Sequence, residues 1–98
     1  MRERLRRADN LLRERQVAEA VALYALVADE FERTGFAVKS IAVSRQIVSI
    51  VGSDRPDLGP ARAVALERLA RLCRQLGLTA DAEEAERLLQ SRPADCLH

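Results

Sequence analysis

The chain has 98 residues, 48% apolar and 32% charged, with only 3% aromatic side chains, four glycines and three prolines. That length suits one domain with a modest core, and the Ala-, Leu-, Arg-, Glu- and Val-rich profile argues against a sheet, whose faces would want aromatic and β-branched residues. Sixteen basic residues against fifteen acidic ones leave a net charge of +1, so bulk electrostatics select no partner.

The elements follow in chain order. Helix one is expected over 2–14, with Leu5, Ala8, Leu11 and Leu12 on one face. Helix two covers 17–34 and ends at Thr34-Gly35, where glycine can take the left-handed conformation that closes a helix. Helix three covers 36–51. The segment GSDRPDLG, residues 52–59, is the one clear loop, with two glycines, a proline, and Ser and Asp as cap candidates. Helix four covers 60–76, with Pro60 suited to a first turn and Gly77 ending it. Thr79 is the expected cap of helix five, over 79–90, which stops before Arg92-Pro93. Residues 1–91 are expected to form one helical domain and 92–98 a flexible tail.

Connections of about two residues join helices one to two, two to three and four to five, and turns that short make antiparallel neighbours. Helix four carries one apolar stripe, Leu66, Leu69, Ala70, Cys73 and Leu76, at the spacing of a single face. Helix two differs: from Val17 to Ala28 every residue but Glu19 is apolar. It is therefore expected to be covered on two sides. Helix three has two apolar sides, Ala37, Ile41 and Val48 on one and Val43, Ile47 and Ile50 on the other, one to pack on helix two and one on helix four. The fold class is all-α, about five antiparallel helices in stacked helical hairpins.

A repeat underlies these hairpins. Tyr24, Val27, Ala28, Phe31, Gly35 and Ser40 recur at identical intervals as Leu66, Leu69, Ala70, Cys73, Gly77 and Ala82. The two glycines lie 42 residues apart, which is a repeat of about 34 residues lengthened by the 52–59 loop. An overlapping third copy reads Ala8, Leu11, Arg15, Ala20, Tyr24 and Val27, with Arg15 in the place of the turn glycine. This pattern, over roughly residues 4–90, resembles the tetratricopeptide repeat (TPR) family, whose unit is a helix-turn-helix. The resemblance implies a right-handed superhelix of about two and a half repeats. Small residues let paired helices approach, and large ones fill the gaps beside them.

Chemistry is not expected. The sole histidine is His98, at the last position, and Cys73 falls on the apolar stripe of helix four, where a buried structural thiol is the plain reading. Cys96 and His98 form a C-x-H pair, two ligands where a zinc site usually takes four. Asp29-Glu30 and Glu83-Glu84 are adjacent in sequence and so point to different sides of a helix. The loop lacks the lysine and flanking strand of a phosphate-binding loop. The reading is therefore no enzyme, no cofactor, no metal and no small-molecule substrate.

The only basic cluster of note, RERLRR, is interrupted by Glu3 and Asp9, and no aromatics stand ready to stack on bases, so no nucleic-acid role is expected. Nor is a membrane role: the longest apolar stretch, Val17 to Ala28, is 12 residues and falls short of the ~20 needed to span a bilayer. Two cysteines suit a reducing compartment, and a cytoplasmic location follows. Fifteen of the sixteen basic residues are arginine, as in a GC-rich and so bacterial genome.

The resemblance further implies an adapter or regulatory module that holds a peptide or helix of another protein in a groove lined by the first helix of each hairpin. On this sequence the groove positions are Leu5, Asp9 and Leu12 of helix one, Ala25, Asp29 and Glu32 of helix two, and Glu67, Arg71 and Arg74 of helix four. The family's carboxylate clamp needs Lys and Asn at such places, and Leu5, Asp9 and Asp29 stand there instead, so that specificity is not expected. The competing expectation is a structural domain acting through homodimerisation, with Val43, Ile47 and Ile50 exposed for self-association if helix four swings away on its loop.

Overall fold

Three turns of one design set the path of the chain. In a computed structural model that describes residues 2–52 and 54–90, the helices are α1 (Arg2–Arg13), α2 (Val17–Arg33), α3 (Ala37–Ile50), α4 (Gly59–Gln75) and α5 (Thr79–Gln90). A short 3-10 turn, Pro56–Leu58, precedes α4, and no strand occurs among the described residues. The protein is all-α. Residues 91–98, which include the expected tail and the Cys96–His98 pair, lie outside the described residues.

Each two-helix turn closes in the same way. Arg15, Gly35 and Gly77 have φ of 64°, 88° and 77°. Their amides donate to the carbonyls of Leu12, Glu32 and Arg74 at 3.0, 3.2 and 3.1 Å. The next amides, of Gln16, Phe36 and Leu78, reach back to Leu11, Phe31 and Cys73 at 2.9, 2.8 and 2.8 Å. This is the paired 6→1 and 5→2 closure of a Schellman motif, which satisfies carbonyls that the helix end would otherwise leave free.

The same three residues then start the next helix. The carbonyls of Gln16, Phe36 and Leu78 accept from the amides of Ala20, Ser40 and Ala82, each at 3.0 Å. Thr79, expected as the cap of α5, is instead the first helical residue, and Leu78 holds the cap position. The turn geometry, rather than a side-chain oxygen, decides where these helices begin. Gln16 and Phe36 likewise cap α2 and α3 without a side-chain hydrogen bond.

The small repeat positions carry the close contacts. Ala8, Ala20, Ala28, Ser40 and Ala82 are fully buried and Ala70 nearly so. Ser40 Oγ donates to the Ala28 carbonyl at 2.7 Å, a buried bond that ties α3 to α2. One apolar cluster joins α1, α2 and the Val43–Ile47–Val51 side of α3, and also takes in Leu58 and Ala65. A second joins Ile41, and the half-buried Ala37 beside it, to Leu66, Leu69, Leu72 and Cys73 of α4 and Ala82 and Ala85 of α5. α3 therefore serves both clusters from its two sides, and Val48 touches each.

α2 packs on α1 and α3 and touches α4. Its apolar circumference exceeds that cover: Ala18, Ala22 and Leu26 remain exposed on the flank away from α3. Helices that alternate in direction and pack on their chain neighbours build a slab whose Cα extents are 43 × 34 × 15 Å, about two helices thick.

Candidate interaction surface

The open flank of α2 continues onto α4. Both helices run the same way, because two direction reversals separate them. Asp29 and Glu32 are three residues apart on α2, and Arg68 and Arg71 are three apart on α4, so each pair occupies adjacent turns of one face. Arg68 Nε donates to Glu32 at 3.1 Å, and its Nη2 lies 3.5 Å from Asp29. Arg71 grips both oxygens of Glu32, at 2.7 and 3.3 Å. Arg33 closes the row on α2, 3.0 Å from Asp29 and 3.4 Å from Glu30. Arg4 of α1 stands 4.0 Å from Glu30.

Arg68 is the anchor of this lattice, since its side chain is only 11% exposed while the Arg71 side chain is 47% exposed. A planar guanidinium fork can bridge two carboxylates with fixed geometry, which a lysine could not. The lattice fixes the axial register of α2 against α4. One turn before it on each helix come Leu26 of α2 and Val64 of α4, 58% and 49% exposed. Leu26, Asp29 and Arg33 fall at i, i+3 and i+7, and Val64, Arg68 and Arg71 at i, i+4 and i+7, so each apolar residue shares a face of its own helix with charged ones. Ala22 extends the apolar strip by a further turn.

The structure gathers part of the expected groove. Glu32 and Arg71 meet directly, Asp29 joins them through Arg68, and Ala25 is half-buried on α2 against the first cluster. Glu67 is exposed and makes no ion pair among the described residues. Arg74 turns away to α5, where it holds Glu86 by two bonds of 3.0 and 2.7 Å. That fork keeps the Glu86 carboxyl below its ordinary range. Leu5 and Leu12 are spent on the first cluster.

Asp9 does not join Asp29 and Glu32. It accepts a hydrogen bond from the buried Tyr24 hydroxyl, on a different side of α2. Burial first, and then the Asp9 carboxylate, push the Tyr24 hydroxyl up to about 12. The residue of α1 that does reach the acidic side of α2 is Arg4. Arg68, Leu26 and Val64 are absent from the expected groove, although the matched three-residue spacing of Asp29/Glu32 and Arg68/Arg71 was a signal that could have found Arg68.

Val43 and Ile47, the residues expected to mediate self-association, are 8% and 1% exposed, and Ile50 is half-buried. They belong to the cluster shared with α2, with Ala65 of α4 against it. Among the described residues no three His, Cys, Asp or Glu side chains converge as a metal-binding set, and no helix is long and apolar enough to cross a membrane. Comparison with family models, curated proteins and solved structures returns no match for this chain.

Proposed function

We propose that the chain is a non-catalytic interaction module of TPR-like design, an adapter or regulatory domain that works in the cytoplasm by holding a peptide or helix of another protein on the α2–α4 face. The observation that carries this reading is the exposure of Leu26 on α2 and Val64 on α4, each one turn before a lattice of Asp29, Glu32, Arg68 and Arg71 that joins the two helices. An apolar step beside ordered charges is what helix-in-groove recognition uses: the step supplies affinity and the charges set register. The thrice-repeated turn supports the repeat-like part of the reading, because a chain that closes every hairpin alike presents one helix of each hairpin to a common face.

The test is capture of partners from a lysate of the native cell by the wild-type chain and by a Leu26→Asp, Val64→Asp variant. Both sites are exposed, so the variant should melt within a few degrees of wild type. Proteins retained by wild type and lost from the variant are the expected result. An identical set on both chains would remove the α2–α4 face as the binding site.

A further inference from the structure

In the layer opposite the α2–α4 face, α1 and α3 each pack on α2 while hardly touching one another, so a trough runs between them. One contact sets its register. The Tyr24 hydroxyl donates to Asp9 of α1 and accepts from Gln46 of α3, which brings those two residues to one point on facing flanks. α1 and α3 run the same way. Seven residues back, two turns of helix, the same flanks carry Arg2 on α1 and Lys39 on α3. Arg6 and Arg13 lie three residues before and four after Asp9, which keeps them on that side of α1. All four cations are exposed, and none makes an ion pair among the described residues. Arg13 donates to Asn10, and the Lys39 ammonium rests 5.0 Å from the centre of the Phe36 ring. Glu3, next to Arg2, sits about 100° round the helix, and Arg45 of α3 is turned to Asp81 of α5.

The trough is thus bordered by Arg2, Arg6, Arg13 and Lys39, with the carboxylate of Asp9 set among them. Ala42 and Ser49, exposed and small, leave the α3 wall low. On α1 the arginines fall at i, i+4 and i+11, about 6 and 16 Å from the first, with Asp9 at i+7. A second α-helix lying along the trough repeats that spacing in its own side chains. We infer that the α1–α3 trough docks an acidic helix of a partner protein, with carboxylates against the three arginines and a neutral or basic residue against Asp9. Asp9 is what selects a protein helix. A nucleic-acid strand carries a phosphate at every step and would leave no gap for that carboxylate. This site stands apart from the α2–α4 face and does not depend on it.

Synthetic helical peptides of about 16 residues test the inference, titrated into the full chain at low salt and followed by amide chemical shifts. Two carry glutamate at three positions of an i, i+4, i+7, i+11 stripe and glutamine at i+7 or at i+4, which covers both directions of the helix. A third has glutamate at all four positions, and a fourth spreads three glutamates around the helix. One of the two gapped peptides should bind tightest and shift Arg6, Asp9, Ala42 and Gln46. It should exceed the four-glutamate peptide despite its lower charge, because the extra glutamate meets Asp9. Arg6→Glu with Arg13→Glu should weaken it roughly 10-fold, and the milder Arg6→Gln with Arg13→Gln roughly 3-fold, while the chain melts within a few degrees of wild type. Tightest binding by the four-glutamate peptide, or by a single-stranded oligonucleotide, would overturn the proposal by marking a general polyanion surface. Equal binding of the dispersed peptide, shifts confined to the α2–α4 face, or insensitivity to both arginine variants would overturn it too. Loss of partner capture by the Leu26 and Val64 variant, with peptide binding intact, separates this site from the first.

Discussion

Arg15 and Gly35 hold the same left-handed backbone conformation, at φ 64° and 88°, and each closes the helix before it with the same pair of amide–carbonyl bonds. For an L-residue that conformation costs about 1–2 kcal/mol, which glycine escapes, although glycine loses more freedom on folding. Arg15 is exposed and makes no ion pair among the described residues, so little offsets its strain. Arg15→Gly should therefore stabilise the fold by roughly 0.5–1 kcal/mol, or about 2–8 °C in Tm for a chain of this size. Gly77→Ala should do the reverse by about 1 kcal/mol, because a Cβ there meets nothing within 4 Å and only the backbone resists it. Thermal denaturation followed by circular dichroism measures both, and an Arg15→Gly chain no more stable than wild type would refute the account.

Ser40 and Ser44 lie one turn apart on α3 and both are fully buried, yet they should respond to alanine with opposite signs. Ser40 Oγ bonds the Ala28 carbonyl at 2.7 Å, whereas Ser44 Oγ has no partner among the described residues. Removing a buried hydrogen bond costs about 1 kcal/mol, while removing an unpartnered buried hydroxyl recovers its desolvation penalty. Ser40→Ala should destabilise by ~1 kcal/mol and Ser44→Ala should stabilise by about as much, helped by the better helix propensity of alanine. Urea titration of the two variants against wild type, with unchanged m-value, tests the contrast.

The turns and helices were legible because their causes are local. Gly35 and Gly77 announce the reversals, and the interval from Ala28 through Phe31 to Ser40 places the small buried positions on each side. Every expected helix boundary falls within one residue of the observed one. The cap of α5 was misplaced at Thr79 because residue preference suggests a hydroxyl there, while the Schellman closure assigns the role to whatever follows the left-handed residue. The charged face was less legible. Arg68 reaches Glu32 across 36 residues of sequence, and that depends on the rotation of α4 about its own axis and its slide along α2. Asp9 shows the same limit: spacing puts it on a polar flank of α1, but only packing decides that the Tyr24 hydroxyl is its neighbour.

Arg68 should matter to stability more than any other arginine on this surface. It serves two carboxylates from a side chain that is 11% exposed, so its methylenes pack while its fork is held. Arg68→Ala should cost about 1–2 kcal/mol, combining the lost packing with a charge-assisted hydrogen bond. Arg74 pairs with Glu86 at the surface, their side chains 51% and 41% exposed, and Arg74→Ala should leave the melting temperature unchanged within error. A double-mutant cycle between Arg68→Ala and Glu32→Gln should return a coupling of roughly 0.5–1.5 kcal/mol. A coupling of zero would mean that the lattice forms without holding α2 to α4.

Alkaline pH should unfold the chain through Tyr24. Its hydroxyl is buried and donates to Asp9, and burial followed by that carboxylate raise its pKa from 10.0 to about 12, against a small opposing effect of the Gln46 hydrogen bond. A group whose pKa is raised on folding favours the folded state while it stays protonated. The contribution is whole below the unfolded value near 10 and disappears as pH climbs through about 12. Two units correspond to a loss of about 2–3 kcal/mol over that window. Tyr24 is the only tyrosine in the chain, so phenolate absorbance reports it alone. A midpoint well above that of the urea-unfolded chain, with stability level to about pH 9 and then falling, is the expected pattern. Tyr24→Phe should cost about 1 kcal/mol at neutral pH through the lost bond, and should flatten the alkaline slope. A Phe variant that unfolds with the same alkaline profile would locate the titrating group elsewhere.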